Sequence, residues 1–166
     1  MSEPNASESI ETPFLSEAEF HAALDAVIAV ASREIRITDD RLERMMLDEI
    51  ERAESLVRFL SASPVCRLHI VLHNPQYVAS RYPRLHTLIR RFPNSVEVRE
   101  SSAEYKHIAD CFLLADEMHG AIRFHRDHAR GKLLQNAVDE IRPWWLRFDE
   151  LWCSATPCLA PTRIGL

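Results

Sequence analysis

Apolar side chains recur along this chain at two spacings, which separate predicted helices from predicted strands. Ser16 and Glu19 form a capping box, and after them apolar residues follow every three or four positions, as on one face of an amphipathic helix. The same period returns in three later stretches. The predicted helices cover residues 17–32, 42–61, 76–92 with an interruption at Pro83, and 138–152.

Alternation of apolar and polar residues marks the predicted strands. Ile35 and Ile37 lie on one face of a short strand over residues 34–38. The other strands are predicted at residues 66–73, 96–98, 107–116 and 119–126. Helices that alternate with strands are typical of an α/β fold, and we expect a mixed sheet of about five strands flanked by helices.

The pattern indicates one domain over residues 16–156, because no linker and no internal repeat divides it. Residues 1–15 are rich in Ser, Glu and Pro and are expected to form a disordered acidic leader. Residues 157–166 are expected to form an irregular tail.

The net charge of −5 comes from the leader and the start of the first helix. Five of the 25 acidic residues and none of the 20 basic residues lie in residues 1–19, so the rest of the chain is neutral. A neutral body makes nucleic acid a weaker alternative as a partner, since dedicated nucleic-acid binders are usually basic. No run of about 18 apolar residues is present, so no membrane span is expected. The absence of a secretory signal and of a dense cysteine framework predicts a cytoplasmic protein with reduced thiols.

Three glycines, Gly120, Gly131 and Gly165, are too few and too far apart for the loops that hold phosphates. The phosphate-binding loop and the dinucleotide-binding turn both need clustered glycines. The nucleophile elbow of α/β hydrolases is missing for the same reason. The sequence therefore excludes the common nucleotide-binding enzymes. No cofactor or metal is expected, and a zinc-stabilised module with His125 and His128 as ligands is the minor alternative.

Three segments carry a resemblance to a known family. They are Lys106-His107 through Asp116, the following Arg123-Phe124-His125, and Asn136 with the later Phe148 to Trp152. Over residues 17–156 the chain resembles one repeat of the phospholipase D-like superfamily. The resemblance is greatest to a bacterial branch of single-repeat proteins, some of them fused to GNAT-type acetyltransferase domains. It implies the α/β fold and, because catalytic sites of that superfamily are built from two repeats, a homodimer.

The catalytic motif of that superfamily, His-x-Lys-x4-Asp, does not occur in the chain. With Asp116 at the aspartate position, Ala109 takes the histidine position and Cys111 the lysine position. With His107 as the histidine, a leucine takes the aspartate position. Because the reaction needs a histidine nucleophile and a cation that holds the phosphate, we expect a non-catalytic binding or interaction module. The alternative is a divergent phosphodiesterase with His107 or His125 as nucleophile and Asp116 as a further catalytic candidate.

A residual polar cleft is expected on the predicted hairpin. His119, Arg123 and His125 alternate along one face of its second strand, with apolar residues opposite. Such side chains bind anions, and a phosphate-containing ligand is the expected class. A solvated strand face without a ligand is the alternative. The predicted cleft residues are His107, Asp116, His119, Arg123, His125 and Asn136.

Residues 77–99 form the most basic stretch, with five arginines near the aromatic rings of Tyr77 and Tyr82. Arginine beside aromatic rings is used to contact single-stranded nucleic acid. The alternative is a solvated helix face whose arginines pair with Glu97 and Glu100. The arginines are Arg81, Arg84, Arg90, Arg91 and Arg99.

Overall fold

A computed structural model of the chain describes residues 8–159. Within them the strands are β1 (Ile10–Phe14), β2 (Glu34–Asp39), β3 (Arg67–Leu72), β4 (Val96–Glu100), β5 (Cys111–Ala115), β6 (His119–His125), β7 (His128–Gln135) and β8 (Thr156–Leu159). The helices are α1 (Glu17–Val30), α2 (Ile50–Ser61), α3 (Gln76–Arg81), α4 (Pro83–Arg91) and α5 (Val138–Ser154), with a 3₁₀ turn at Ala103–Tyr105.

The strands form one mixed sheet in the order β1-β7-β6-β5-β2-β3-β4-β8. Strands β2, β3 and β4 are parallel, and the other pairings are antiparallel. Helices α1, α2 and α4 pack on one face around residues such as Phe20 and Leu68. Helix α5 covers the other face with Trp145 and Phe148 against Phe112. The α/β class with helices on both faces of a mixed sheet is therefore confirmed.

The sheet has eight strands among the described residues, so the prediction of about five is wrong. The missed strands are β1, β7 and β8. Two of them are short edge strands that contain Pro13 or Pro157, and proline is tolerated only at such edges. Strand β7 begins His-Ala-Arg-Gly and buries only two of its eight residues, so it lacks the alternation that marks a strand.

Both ends of the predicted domain differ in the structure. Residues 10–14 were expected in the disordered leader, but they form β1, whose Phe14 packs its ring 5.3 Å from that of Phe20. Residues 157–159 were expected in the irregular tail, but they belong to β8, which pairs with β4. Residues 1–7 and 160–166 lie outside the described part of the chain.

Helix α2 begins at Ile50 and not near residue 42, because the preceding segment folds as a loop. Leu42 and Met46 have φ angles of 64° and 47°, which no α-helix contains. Arg52, only 3% exposed, donates to the carbonyl oxygens of Met45 and Met46 at 3.0 and 3.1 Å. Its guanidinium also binds the Asp25 carboxylate of α1 at 2.7 Å. Arg52 thus joins the loop to α1. Its contacts stabilise the loop in place of the helix that the apolar spacing predicts there.

The predicted hairpin is present as β5 and β6. Strand β5 begins at Cys111 and not at residue 107, because residues 103–105 form the 3₁₀ turn and the next five residues an irregular segment. The turn consists of Asp116 and Glu117, with φ angles of 56° and 57°, and Met118 donates to the Ala115 carbonyl at 3.1 Å. Two left-handed residues are what a type I′ turn requires, and Met118 completes the three-residue connection between β5 and β6.

Candidate functional site

The parallel strands β2, β3 and β4 all end at one side of the sheet, where ligands bind in open α/β folds. We call the polar cluster there the carboxyl edge; it consists of Asp39, Asp40, His73, Asn74, Ser101 and Lys106. Backbone hydrogen bonds join neighbouring strands at this edge. The His73 N–H donates to the Asp39 carbonyl at 3.1 Å, and the Ser101 N–H donates to the Leu72 carbonyl at 2.9 Å.

His73 is the central side chain of the carboxyl edge. It is 1% exposed, and its Nδ1 lies 2.7 Å from the Ser101 hydroxyl in a hydrogen bond. Its Nε2 has no hydrogen-bond partner among the described residues. Burial lowers the pKa of His73 to about 4, so the imidazole is neutral near pH 7. A buried polar atom without a partner is uncommon in folded proteins, which makes this ring a candidate binding group.

Cations gather around this imidazole. Lys106 Nζ donates to the His73 carbonyl at 2.7 Å and to the Glu100 carboxylate at 2.8 Å. Asp40 accepts from the Asn74 side-chain amide, and its Oδ2 lies 3.4 Å from Arg41 Nε and 4.0 Å from Arg126 Nε. The Arg41 contact lacks hydrogen-bond geometry, so Arg41 Nε stays unsatisfied. Three cations therefore share two carboxylates.

Asp39 adds a buried carboxyl group beside the cluster. It is 2% exposed, its Oδ1 accepts from the Asp40 N–H at 2.7 Å, and its Oδ2 has no partner among the described residues. Burial raises the pKa of Asp39 to about 6, and the nearby Asp40 carboxylate adds to the shift. Strained or unsatisfied groups of this kind concentrate at functional sites.

The structure divides the six predicted cleft residues between two sides of the sheet. Asp116, His119 and Asn136 lie at the side where β2 begins, which we call the amino edge. The other three, His107, Arg123 and His125, lie on the side of the carboxyl edge. Because β5 separates the two groups by on the order of 13 Å, no single cleft holds all six.

At the amino edge, Asp116 has a structural role. The three consecutive backbone N–H groups of residues 32–34 donate to its carboxylate at 2.7, 2.9 and 2.9 Å. Burial raises the pKa of Asp116, but these backbone hydrogen bonds outweigh it and leave that pKa below its usual value. The carboxylate ties the β5–β6 turn to the start of β2, and its acceptor positions are largely occupied.

His119 and Asn136 belong to the same turn region. The Asn136 N–H donates to His119 Nδ1 at 3.1 Å, and Asn136 takes a left-handed φ of 52°. Burial lowers the pKa of His119, which favours the neutral imidazole. Their hydrogen bond joins the end of β7 to the start of β6.

Arg123 is buried under α1 and not aligned on an open face. It is 1% exposed, and its two terminal nitrogens bind the two Glu17 carboxylate oxygens at 2.8 Å each. The same guanidinium donates to the His125 and Arg126 carbonyls at 3.3 and 2.8 Å. Because Glu17 pairs with it and four of its five N–H donors are used, Arg123 holds α1 against β6 and does not present a free cation to a ligand.

His107 and His125 are exposed or partly exposed. His107 lines a shallow cavity of about 290 Å³ between the 101–110 loop and α5, together with Arg147. His125 Nδ1 accepts from the Asp127 N–H at 3.1 Å, and its ring lies 5.3 Å from that of His128. No group of three or more His, Cys, Asp or Glu residues between positions 8 and 159 is arranged to hold a metal ion.

Comparison with known proteins assigns the chain to a family. No curated protein matches the sequence. A family model described as a domain of unknown function, DUF7931, matches residues 16–161. The chain belongs to the DUF7931 family.

Solved structures share the fold of this DUF7931 domain. TrmBL2, an archaeal chromatin protein with a novel mode of DNA binding, has a TM-score of 0.66 at 12% identity over 93% of this chain and 56% of that one. Nuc from Salmonella typhimurium, a phospholipase D family member, has a TM-score of 0.60 at 13% identity over 92% of this chain and 100% of that one. Phosphatidylserine synthase from Haemophilus influenzae has a TM-score of 0.54 at 10% identity over 95% of this chain and 41% of that one. At these identities the likeness shows the fold, which is phospholipase D-like, and the chain spans only about half of TrmBL2.

The histidine and lysine positions of the phospholipase D-like motif fall on the carboxyl-edge side of β5, whereas the aspartate position, Asp116, lies at the amino edge. Ala109 precedes β5, and Cys111 opens it opposite Arg123. Burial raises the pKa of the Cys111 thiol well above its usual value, so this position carries no charge near pH 7. The ammonium group nearby comes from Lys106, which lies directly before the predicted strand over residues 107–116 and was paired there with His107 as an acid-base candidate, outside the six predicted cleft residues.

Sequence reasoning missed Asp39, Asp40, His73 and Ser101. A partial signal was available, since Asp39 directly follows the predicted strand 34–38 and the carboxyl ends of parallel strands meet at one edge. The predicted bounds 66–73 and 96–98 placed His73 inside a strand and Ser101 three residues beyond one. In the part of the chain that the structure covers, no helix is both long and apolar enough to cross a bilayer.

Proposed function

We propose that this domain binds a phosphate-containing ligand at the carboxyl edge and does not turn it over. The buried His73 carries the proposal, because its Nε2 lacks a partner among the described residues while Lys106 donates to the carbonyl of the same residue. When Ser101 donates to Nδ1, the Nε2–H of the neutral ring is a donor. Such a donor beside ammonium and guanidinium groups matches the oxygens of a phosphate.

The absence of the motif supports binding without catalysis. A histidine nucleophile and a lysine at the motif positions would be needed for the phosphoenzyme route, and Ala109 and Cys111 occupy them. Neither rival nucleophile occupies the histidine position of the motif. His125 Nδ1 accepts from the Asp127 N–H, and His107 lies in the loop before β5.

Binding is tested by calorimetric titration of the purified protein with inorganic phosphate and with phenyl phosphate. We expect Lys106→Ala and Arg126→Ala each to weaken binding about tenfold or more. Arg142→Ala is the matched control, because Arg142 is exposed on α5 and distant in sequence from the carboxyl edge. Absence of binding to both probes, or equal affinity in all variants, contradicts the proposal.

The rival enzyme is tested with bis(p-nitrophenyl) phosphate. We expect no release of p-nitrophenol above the buffer rate. Turnover that disappears in His107→Ala or His125→Ala would establish the divergent phosphodiesterase in place of the binding module.

A homodimer is also proposed, on the resemblance to a superfamily that builds its sites from two repeats. Light scattering at micromolar concentration separates a dimer from a monomer of 19.1 kDa. A monomer mass removes this part of the proposal and leaves the anion site unaffected.

A further inference from the structure

Helices α2 and α4 leave an apolar groove between them on the outside of the domain. On α2 it is lined by Ile50, Ala53, Glu54 and Val57, and on α4 by Arg84, Thr87, Leu88 and Arg91. Both sets follow the spacing i, i+3, i+4, i+7, so each helix presents one face over two turns, or about 10 Å. The groove encloses about 190 Å³.

The two helices run side by side from a shared start. The Asp48 carboxylate, which precedes α2, accepts from the backbone N–H groups of Arg84 and Leu85 at 2.8 and 3.2 Å and so caps α4. The Arg84 side chain returns a hydrogen bond to the Asp48 carbonyl at 3.0 Å. Because α2 and α4 both connect parallel strands, they lie parallel, and the groove is fixed at its amino-terminal end.

The floor and the walls of the groove are aliphatic. Ala53 and Leu88 are buried beneath it, Val57 is half-buried, and Ile50 is 54% exposed at its open end. An isoleucine that exposed is unremarkable alone, but here it continues an apolar line into a cavity. No aromatic ring lines the groove, so it offers no platform on which a nucleic-acid base could stack.

The α4 side of the groove is basic and only partly compensated, because Arg84 Nη1 lies 3.5 Å from the Asp48 carboxylate. Helix α4 contains three arginines and no acidic residue. Of the arginines expected to pair with Glu97 and Glu100, only Arg99 does so among the described residues, with Glu97 at 3.0 Å. Glu100 binds Lys106 at 2.8 Å, so neither glutamate neutralises α4. Within residues 8–159, Arg91 has no carboxylate within ion-pair distance, whereas Glu54 gives the α2 side a negative charge.

We propose that this groove binds an amphipathic helix of a protein partner, with apolar residues in the groove and acidic residues along the α4 side. An aliphatic groove between two helices suits helix-in-groove recognition, in which the bound helix supplies apolar anchors at i, i+3, i+4 and i+7. The charge asymmetry sets the orientation, because acidic side chains of the partner face Arg91, whereas Glu54 on the opposite side repels them. The groove shares no lining residue with the carboxyl edge, and this proposal does not rest on the proposed phosphate site.

The test is selection of 14-residue peptides from a displayed random library on the full-length protein, followed by fluorescence anisotropy of the enriched peptides. We expect enrichment of apolar residues at helical spacing with aspartate or glutamate beside them. Ile50→Glu and Arg91→Glu should each weaken binding of these peptides about tenfold or more. Glutamate is well tolerated in the first turn of a helix, so Ile50→Glu should fold normally.

Leu146→Glu is the matched control, because Leu146 is 55% exposed on α5, on the other face of the sheet. It should leave peptide affinity unchanged, and Ile50→Glu should leave phosphate binding unchanged, so failure of one proposal does not imply failure of the other. The proposal is overturned if no peptide is enriched or if enriched peptides are basic. It is also overturned if Ile50→Glu binds them as the unaltered protein does, or if single-stranded DNA binds through Arg91 while peptides do not.

Discussion

The guanidinium of Arg36 lies 3.8 Å from the ring centroid of Trp145 and donates to the carbonyl oxygen of that same residue at 3.1 Å. The arrangement repeats seven residues later, where Arg99 lies 3.9 Å from the ring of Trp152 and donates to the Trp152 carbonyl at 3.0 Å. Seven residues are two helical turns. Arginines from β2 and β4 therefore hold α5 at two equivalent points and fix its direction across the sheet.

Replacing Arg36 with lysine tests this attachment. Arg36→Lys keeps the positive charge but loses the planar donor pair that serves Trp145, Asp149 and Glu34 together. We expect the free energy of unfolding in urea to fall by about 1–2 kcal/mol. Arg142→Lys, at an exposed position of α5, should change it by less than about 0.5 kcal/mol. Equal effects at the two positions would show that the stacked arginine contributes nothing.

Arg36 also shows where sequence reasoning succeeds and where it ends. The alternation around Ile35 and Ile37 predicts β2 correctly, and the apolar stripe through Trp145 and Phe148 predicts α5. Those patterns are local. The partner of Arg36 is 109 residues away, and no local pattern indicates that a polar strand face will meet a tryptophan.

The candidate site likewise depends on contacts between residues that are distant in sequence. Alternation along β6 gives the correct face for Arg123, but the face is covered by α1, and Glu17 is 106 residues distant. Asp116 fits the aspartate position of a family motif, yet the backbone of residues 32–34 occupies its carboxylate. His73 and Ser101 become visible only once β3 and β4 are known to be parallel. The chemistry at strand ends depends on sheet order, which spacing does not contain.

Asp116 should make the domain sensitive to acid. Its carboxyl pKa is lowered in the folded state by backbone hydrogen bonds, so its stabilising effect is present above the unfolded pKa of about 3.9 and is lost as the pH falls through the lower folded pKa. Asp116→Asn should cost about 1–2 kcal/mol of unfolding free energy at pH 7 and progressively less below pH 4. Urea titrations from pH 7 to pH 3 measure both curves. Asp139→Asn, in the first turn of α5, is the control, and a constant difference between Asp116→Asn and the unaltered protein at all pH values would contradict this role.

Asp39 should show the opposite pH dependence. Burial raises its pKa to about 6, so the folded state favours the protonated form and loses stability as the pH rises from about 4 to 6. Asp39→Asn keeps an oxygen to accept from the Asp40 N–H and carries no charge to bury. We expect it to raise the unfolding free energy by about 1–3 kcal/mol at pH 7 and to leave it unchanged at pH 4. A variant less stable than the unaltered protein at pH 7 would mean that the ionised Asp39 has a stabilising partner.

Two buried strand glycines differ in what surrounds them, and substitution by alanine should separate them. A Cβ at Gly131 would lie 1.8 Å from the Ile122 carbonyl oxygen, so β6 and β7 would have to move apart. A Cβ at Gly120 would meet only side-chain ends, Ile141 Cδ1 at 2.7 Å and Leu114 Cδ2 at 2.8 Å, which can rotate away. We expect Gly131→Ala to cost about 3 kcal/mol or more of unfolding free energy in urea and Gly120→Ala about 1 kcal/mol. The two variants are matched in chemistry and burial, so a Gly120→Ala cost equal to or above that of Gly131→Ala would show that backbone contact across β6 and β7 is not what requires a glycine there.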